Sequence, residues 1–193
     1  MVKGLYTAYT GMRNEQKRLD VISNNIANSN TTGYKKMGVT SQAFDRELAL
    51  RVHDDSDGFL AKRIGSVSLG VKIGETYTDY SQGGFRETGN TYDIALEGDG
   101  FFTISTTDKS GTEHIRYTRD GSFTVTRDGY LVTKDGDFVL GTDNQRIQIP
   151  GANTATVAID SLGNIYANEV LVGQLQVVDF ENKDALLLYG ENM

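Results

Sequence analysis

Apolar residues recur every three or four positions in the first part of the chain. The recurring positions are Leu5, Ala8, Met12, Leu19, Ile22 and Ile26. Polar and charged side chains occupy the opposite face and Glu15 alone interrupts the series, so the pattern predicts an amphipathic helix rather than a membrane span. A seam with a period of about 3.5 residues is typical of a coiled coil, in which the partner is another helix.

No second pattern of this kind follows in the sequence. Burying each large seam residue would contribute about 1.5 to 3 kcal/mol, whereas ordering each backbone residue costs about 1 to 2 kcal/mol before hydrogen bonds form. We therefore expect the helix to fray when it is alone. Its partner is expected to be another copy of the chain, another protein, or a segment outside this sequence.

From about Thr76 onward the pattern changes to short alternating runs separated by turns. Three Asp-Gly pairs punctuate these runs, at Asp120-Gly121, Asp128-Gly129 and Asp135-Gly136. Asp-Gly between alternating apolar residues predicts a tight β-hairpin, because both residues tolerate positive φ. A content of 22 Gly against a single Pro also fits many short strands. The predicted fold class is mainly β with an N-terminal α-helix, the hairpins forming a meander or a small barrel.

The stretch between the helix and this β region is mixed in character. Apolar and polar residues alternate from Val67 to Ile73, which predicts one half-buried strand. The cluster at positions 53–58 reads as an exposed polar loop. The sequence therefore divides into an N-terminal coiled-coil helix with its end signature (1–33), an extended connector (34–75) and a β-rich outer domain (76–193).

The balance of charge restricts the partners of the chain. Acidic residues outnumber basic ones by 26 to 19, for a net charge of -7, which disfavours binding to nucleic acid or to an anionic membrane surface. We expect no nucleic-acid partner and no membrane insertion. The N-terminus lacks the uninterrupted apolar run and the small-residue cleavage site of a secretory signal peptide.

Candidate chemistry in the chain is weak. A calcium loop starting at position 53 would need an acid there and a Glu at the twelfth position, but those residues are His53 and Ile64. The turn Gly98-Asp99-Gly100 lacks the third Gly of a dinucleotide fingerprint, and no helix pattern follows it. We expect no catalytic residues, no cofactor and no metal, hence no enzyme. A carbohydrate-active enzyme and a cell-wall or carbohydrate-binding β module remain as alternatives, the second because of the ten Tyr.

The end of the predicted helix carries a recognisable signature. Its residues are Asn24, Asn25, Ala27, Asn28, Thr32, Gly33, Tyr34 and Lys35. At the end of a predicted helix, these residues resemble the N-terminal signature of the bacterial flagellar rod and hook proteins. Residues 88–102 and 117–123 resemble the two central β motifs of that family. The rod branch is the most similar, with the distal rod proteins first and the proximal rod proteins next.

This resemblance implies a structural subunit of the flagellar basal-body rod. Such subunits polymerise helically into the axle that transmits motor torque to the hook, and the flagellar type III apparatus exports them without cleaving a signal peptide. The implied partners are copies of the chain, other rod and hook subunits, and the export apparatus. The implied location is the basal body, outside the cytoplasmic membrane.

Three finer expectations follow from the resemblance. Phe44 and Leu48 match the aromatic-x-x-x-apolar pattern of an export-gate element, although such a pair is also common in protein cores. The Asn side chains of the signature either cap the helix or contact neighbouring subunits. Family members end in a second heptad helix, and because the sequence stops at Met193 without one, we expect it to be truncated.

Overall fold

The computed structural model describes residues 2–51, 62–68, 70–108, 111–151 and 156–187. The elements are helix α1 (Val2–Ala27), strands β1 (Met37–Ala43), β2 (Arg46–Arg51), β3 (Lys62–Ser68), β4 (Val71–Thr78), β5 (Phe101–Thr107), β6 (Glu113–Thr118), β7 (Thr124–Val125), β8 (Leu131–Val132), β9 (Phe138–Val139), β10 (Val157–Ile159), β11 (Asn164–Ala167), β12 (Val170–Gln174) and β13 (Val177–Val178), and a short 3-10 helix (Lys183–Ala185). The predicted fold class, mainly β with an N-terminal helix, is confirmed.

The chain forms two compact units. The first, here called the helix unit, comprises Met1–Ser29 and Lys36–Asp79. The second, the β unit, comprises Asn30–Lys35 and Tyr80–Met193. Residues Asn30–Lys35, which follow the helix in the sequence, thus belong to the β unit.

In the helix unit, α1 packs on a two-stranded antiparallel ribbon formed by β1 and β4. The ribbon runs in register from Met37 opposite Thr78 to Ala43 opposite Val71, with an irregularity between Val39 and Ser41. Strands β2 and β3 form a separate antiparallel pair. A two-stranded ribbon is marginal by itself in water, so its contact with α1 stabilises both elements.

The single strand predicted from Val67 to Ile73 is wrong, because two strands meet there. Strand β3 ends at Ser68 and β4 begins at Val71, while Leu69 lies outside the described residues. Gly70 has φ of +121°, and a Cβ at this position would collide with the hydroxyl of Thr10 on α1. Gly70 thus lies close to α1 between the two strands, in a backbone conformation that glycine adopts readily.

Strand β5 is the centre of the β unit. It pairs along its length with β6 on one side, and with β13 and then β9 on the other. Strands β7, β8 and β9 form an antiparallel meander, and β10, β11 and β12 form a second, three-stranded sheet. Because it has neighbours on both edges, β5 is buried from Phe101 to Thr106.

The core of the β unit lies between these two sheets. Its buried side chains are Phe102, Ile104, Phe123, Leu131, Val139, Ile147, Ile149, Ile165, Ala167 and Leu175. Phe102 and Phe123 meet edge to face with their ring centroids 5.1 Å apart, a favoured geometry for aromatic pairs.

Two of the three Asp-Gly pairs close hairpins as predicted. Gly129 lies in the turn between β7 and β8, and Gly136 in the turn between β8 and β9. The third pair, Asp120-Gly121, instead joins β6 to β7, which belong to different parts of the sheet. A side chain at Gly121 would collide with the carbonyl of Ile94, so this glycine serves a close backbone approach.

Candidate functional site: the helix seam and the signature turn

The apolar seam of α1 is exposed to solvent. Its side chains range from 43% exposed at Ile22 to 74% at Leu5, and Ala8, Met12, Leu19 and Ile26 are exposed as well. Scattered exposed apolar residues are common, but a continuous exposed stripe indicates a surface that another protein covers. The structure therefore brings all six seam residues together on one accessible face.

The opposite, polar face of α1 is the one that packs on the ribbon. Thr10 and Asn14 are buried, and the Ser41 hydroxyl on β1 donates to Asn14 Oδ1 at 3.1 Å. Besides the partner expected for its seam, α1 therefore has a contact within its own chain that the sequence did not predict. The apolar period could not reveal this contact, because the docking face uses side-chain hydrogen bonds rather than apolar burial.

Asn25 ties the end of α1 to the start of β1. Its Nδ2 donates to the carbonyl of Met37 at 2.8 Å, and the Met37 amide donates to its Oδ1 at 3.0 Å. The Asn25 side chain thus bonds both backbone groups of Met37, as a residue of a neighbouring strand would. Asn28 acts locally, since its Nδ2 donates to the backbone carbonyl of Asn24 at 3.0 Å and satisfies one of the last helix carbonyls. The described contacts thus give Asn25 a tethering role and Asn28 a capping role.

Replacing Asn25 with Asp should loosen the helix unit. The change keeps the acceptor for the Met37 amide but removes the donor to the Met37 carbonyl, and an unpaired polar group at this site costs about 1 to 3 kcal/mol. Hydrogen exchange at β1 should accelerate. Asn24→Asp is the matched control, because it keeps the acceptor that Asn24 Oδ1 offers to Asn28. Equal hydrogen exchange at β1 in the Asn25→Asp and Asn24→Asp variants would contradict the tethering role of Asn25.

The second half of the signature folds onto the β unit. The Thr32 hydroxyl donates to Asp120 Oδ1 at 2.5 Å, and Gly33 lies against the backbone of Arg119 and Asp120. Lys35 Nζ donates to the carbonyls of Tyr80, at 3.2 Å, and Ser81, at 2.8 Å. We call residues Asn30–Lys35 the signature turn.

A charged cluster lies next to the signature turn. The Arg119 side chain is only 6% exposed, donates to the Gly98 carbonyl at 2.8 Å and lies over the ring of Phe101. Lys183 Nζ approaches Asp99 Oδ1 to 2.7 Å. The hydrogen bond and the charge of Lys183 lower the pKa of Asp99. This cluster joins the 98–100 turn to the short 3-10 helix.

The Asp99–Lys183 pair should make the stability of the β unit depend on pH. Because the folded pKa of Asp99 is lowered, its contribution is present above its unfolded pKa of about 3.9 and is lost as the pH falls through the folded value. Asp99→Asn should therefore lower the melting temperature slightly at pH 7, and the difference should vanish in acid. Asp143→Asn, at an exposed turn, is the control. If the difference in melting temperature persisted in acid, it would not come from the charge of Asp99.

The two residues of the candidate export element, Phe44 and Leu48, lie outside α1 and outside the short 3-10 helix. Phe44 is half-buried between β1 and β2, and its amide donates to the Gly70 carbonyl at 3.1 Å. The backbone of Leu48 pairs with Ser66 in β2 and β3, whereas its side chain is outside the described part. Both residues therefore lie on extended chain.

Sequence reasoning missed the docking face of α1 and the charged cluster. The docking face does have a signal, because Thr10, Asn14, Val21 and Asn25 repeat at spacings of four, seven and four and all are buried or half-buried. The charged cluster has no such signal in the sequence, because Asp99, Arg119 and Lys183 are far apart along the chain and meet only in the folded structure.

Comparison with known proteins covers both units. Residues 5–35 match the profile of the flagella basal body rod protein family, and residues 95–167 match that of the flagellar hook protein FlgE/F/G D1 domain. The first match contains the seam and the signature, and the second contains most of the β-unit core. In the described residues, no helix is long and apolar enough to cross a membrane.

Individual relatives align with the whole chain. The flagellar basal-body rod protein FlgG of Bacillus subtilis (strain 168) is 38% identical and is covered over 73% of its length. FlgG of Agrobacterium fabrum is 35% identical, also with 73% of its length covered. The flagellar basal-body rod protein FlgF of Mesorhizobium japonicum is 31% identical over 71% of its length.

Proposed function

As a member of the flagellar basal-body rod protein family, this chain is a structural subunit of the rod, and we propose that it polymerises helically into the axle that carries motor torque to the hook. The resemblance to the rod branch read from the sequence is confirmed, with FlgG relatives first and FlgF next. Membership implies assembly with other rod and hook subunits. A position in the distal rod is part of the proposal.

The proposal rests on one observation: the seam is exposed although α1 is already docked on the ribbon of β1 and β4. The polar face of α1 is held by Asn14 and Asn25, so the helix is ordered without its apolar face being covered. Each large seam residue that a neighbouring helix buries would contribute about 1.5 to 3 kcal/mol. A subunit whose contacts repeat head to tail without closing builds an open helical tube.

Export forms a second part of the proposal. We propose that the flagellar type III apparatus exports the chain without removing a signal peptide, and that Phe44 and Leu48 form the export-gate element. Support comes from their place just after the signature turn, where the resembled family carries this element. The partners are then copies of the chain, other rod and hook subunits, and the export apparatus.

Purified basal bodies test the assembly proposal directly. A strain that lacks the gene should be non-motile, and a complementing copy with a small epitope tag should co-purify with the rod. Its amount should match a stack of many subunits rather than a single binding protein. Normal motility in the deletion strain, or tagged protein found only in the cytoplasm, would contradict the proposal.

The export element has its own test in the double substitution of Phe44 and Leu48 with Ala. An export element predicts a folded, soluble protein retained in the cytoplasm. A core role predicts instead a destabilised protein, because removing large buried side chains costs about 2 to 5 kcal/mol each. Secreted amount and melting temperature, measured together, distinguish these outcomes. Phe85→Ala, at an exposed aromatic residue, is the control, and an unchanged secreted amount in the double variant would remove the export role.

A further inference from the structure

The larger sheet of the β unit carries an open groove on the face that points away from the core. Its floor includes the buried Ser105 of β5, which follows the core residue Ile104, and successive side chains of a strand point to opposite faces of the sheet. Around it lie Glu113 and Ile115 of β6, Tyr130, and residues of the 144–148 loop. The groove has a volume of about 470 Å³, within the range of about 300 to 1,000 Å³ that is usual for ligand sites.

A row of stacked side chains fixes one wall of the groove. The guanidinium of Arg146 lies over the ring of Phe138, 4.1 Å from the ring centroid, and forms an ion pair with Glu113. Tyr130 meets the same Phe138 ring edge to face, with the centroids 5.6 Å apart. Because each of these groups holds the next, the wall is ordered before a ligand arrives, which lowers the entropic cost of binding.

The charge of the groove restricts the class of ligand. Among the described residues that line it, Glu113 and Arg146 alone are charged, and they neutralise each other in their ion pair. The whole chain has a net charge of -7, which repels anions at long range. The groove therefore fits a neutral ligand better than an anion.

The polar lining of the groove consists largely of side-chain amides. Asn144 and Gln145 are exposed, and Gln148 Nε2 donates to the carbonyl of Asp128 at 3.1 Å, which orients its amide. Each amide carries both donors and an acceptor. A sugar hydroxyl likewise donates and accepts, so rows of hydroxyls match rows of amides.

Apolar area lies beside these amides. Ile115 is 55% exposed, and the half-buried Tyr130 also lines the groove. The faces of a sugar ring carry C–H groups, which pack favourably on such apolar side chains. The groove thus offers both kinds of contact that a sugar ring requires.

We propose that this groove is a second binding site of the subunit, and that its ligand is a neutral oligosaccharide. A neutral peptide is the competing ligand, but extended peptides bind mainly through the free backbone groups of a strand edge. The groove lies on a sheet face, over the central strand β5, and presents side chains instead. Carbohydrate binding, an alternative suggested by the sequence, is then an additional property of a rod subunit.

An NMR titration of the purified chain tests the site with three neutral probes: chitotetraose, cellotetraose and maltotetraose, which differ in linkage and N-acetylation. At least one should shift the backbone amide signals of residues 105, 113–115 and 144–148. Gln145→Ala should raise its Kd about fivefold, as expected for the loss of one hydrogen bond. Gln42→Ala is the matched control, because it removes an exposed amide from β1 in the helix unit, and its Kd should equal that of the parent.

Two further ligands complete the test: tetragalacturonate, which is anionic, and a neutral extended tetrapeptide. Both should bind more weakly than the best neutral sugar. Tighter binding of tetragalacturonate or of the peptide would overturn the proposed ligand class. The site itself would be overturned if no neutral sugar shifted the groove signals, or if Gln145→Ala and Gln42→Ala bound the sugar equally. These outcomes do not depend on rod assembly, because they are measured on the purified subunit.

Discussion

Replacing Leu19 or Ile22 with Asp should abolish rod assembly while leaving the chain folded. Leu19 is 64% exposed and Ile22 is 43% exposed, so either substitution costs the isolated subunit little beyond helix propensity, about 0.7 kcal/mol at most. In an assembled rod the same carboxylate would be buried against a neighbouring helix. An unpaired buried charge costs several kcal/mol or more at each such contact, and the cost recurs at every subunit.

The measurements are swarming motility, rod content of purified basal bodies, and circular dichroism of the purified variant. Lys17→Asp is the control, because it places the same carboxylate at an exposed position of α1 away from the seam. We expect the control to swim and both seam variants to be non-motile with an unchanged melting profile. Motile cells carrying either seam variant would remove the assembly role of the seam.

Replacing Phe102 with Ala should remove most of the stability of the β unit. Phe102 is 1% exposed and meets Phe123 edge to face. Truncating a buried Phe costs about 3 to 5 kcal/mol, against a total of about 5 to 15 kcal/mol for a typical domain. The expected fall in melting temperature is about 10 °C or more.

Phe85→Ala provides the comparison, because the same atoms are removed from a side chain that is 58% exposed. Its effect on the free energy of unfolding should stay within about 0.5 kcal/mol. Calorimetry of the two variants beside the parent protein measures the difference. A similar loss in both would mean that the core does not lie between the sheets described above.

Local periodicity accounts for most of what was predicted correctly. The spacing of three and four residues along the seam predicts both α1 and its apolar face, because helix geometry places those residues in one row. Alternation and Asp-Gly turns predict the β class and the hairpins at Gly129 and Gly136. The prediction failed at Gly70 and Gly121, where a glycine permits a close approach to the Thr10 hydroxyl and the Ile94 carbonyl.

The sequence by itself determined the helix, its apolar seam, the β-rich class and, through the signature, the family. Each of these depends on residues close together in the chain, whose spacing records which face an element buries. Only the tertiary structure decided that Asn14 and Asn25 dock the polar face of α1, and that Gly33 seats the signature turn beside Asp120. Polar and steric contacts of this kind join residues that are distant in sequence, so their partners become defined only when the fold brings their atoms together.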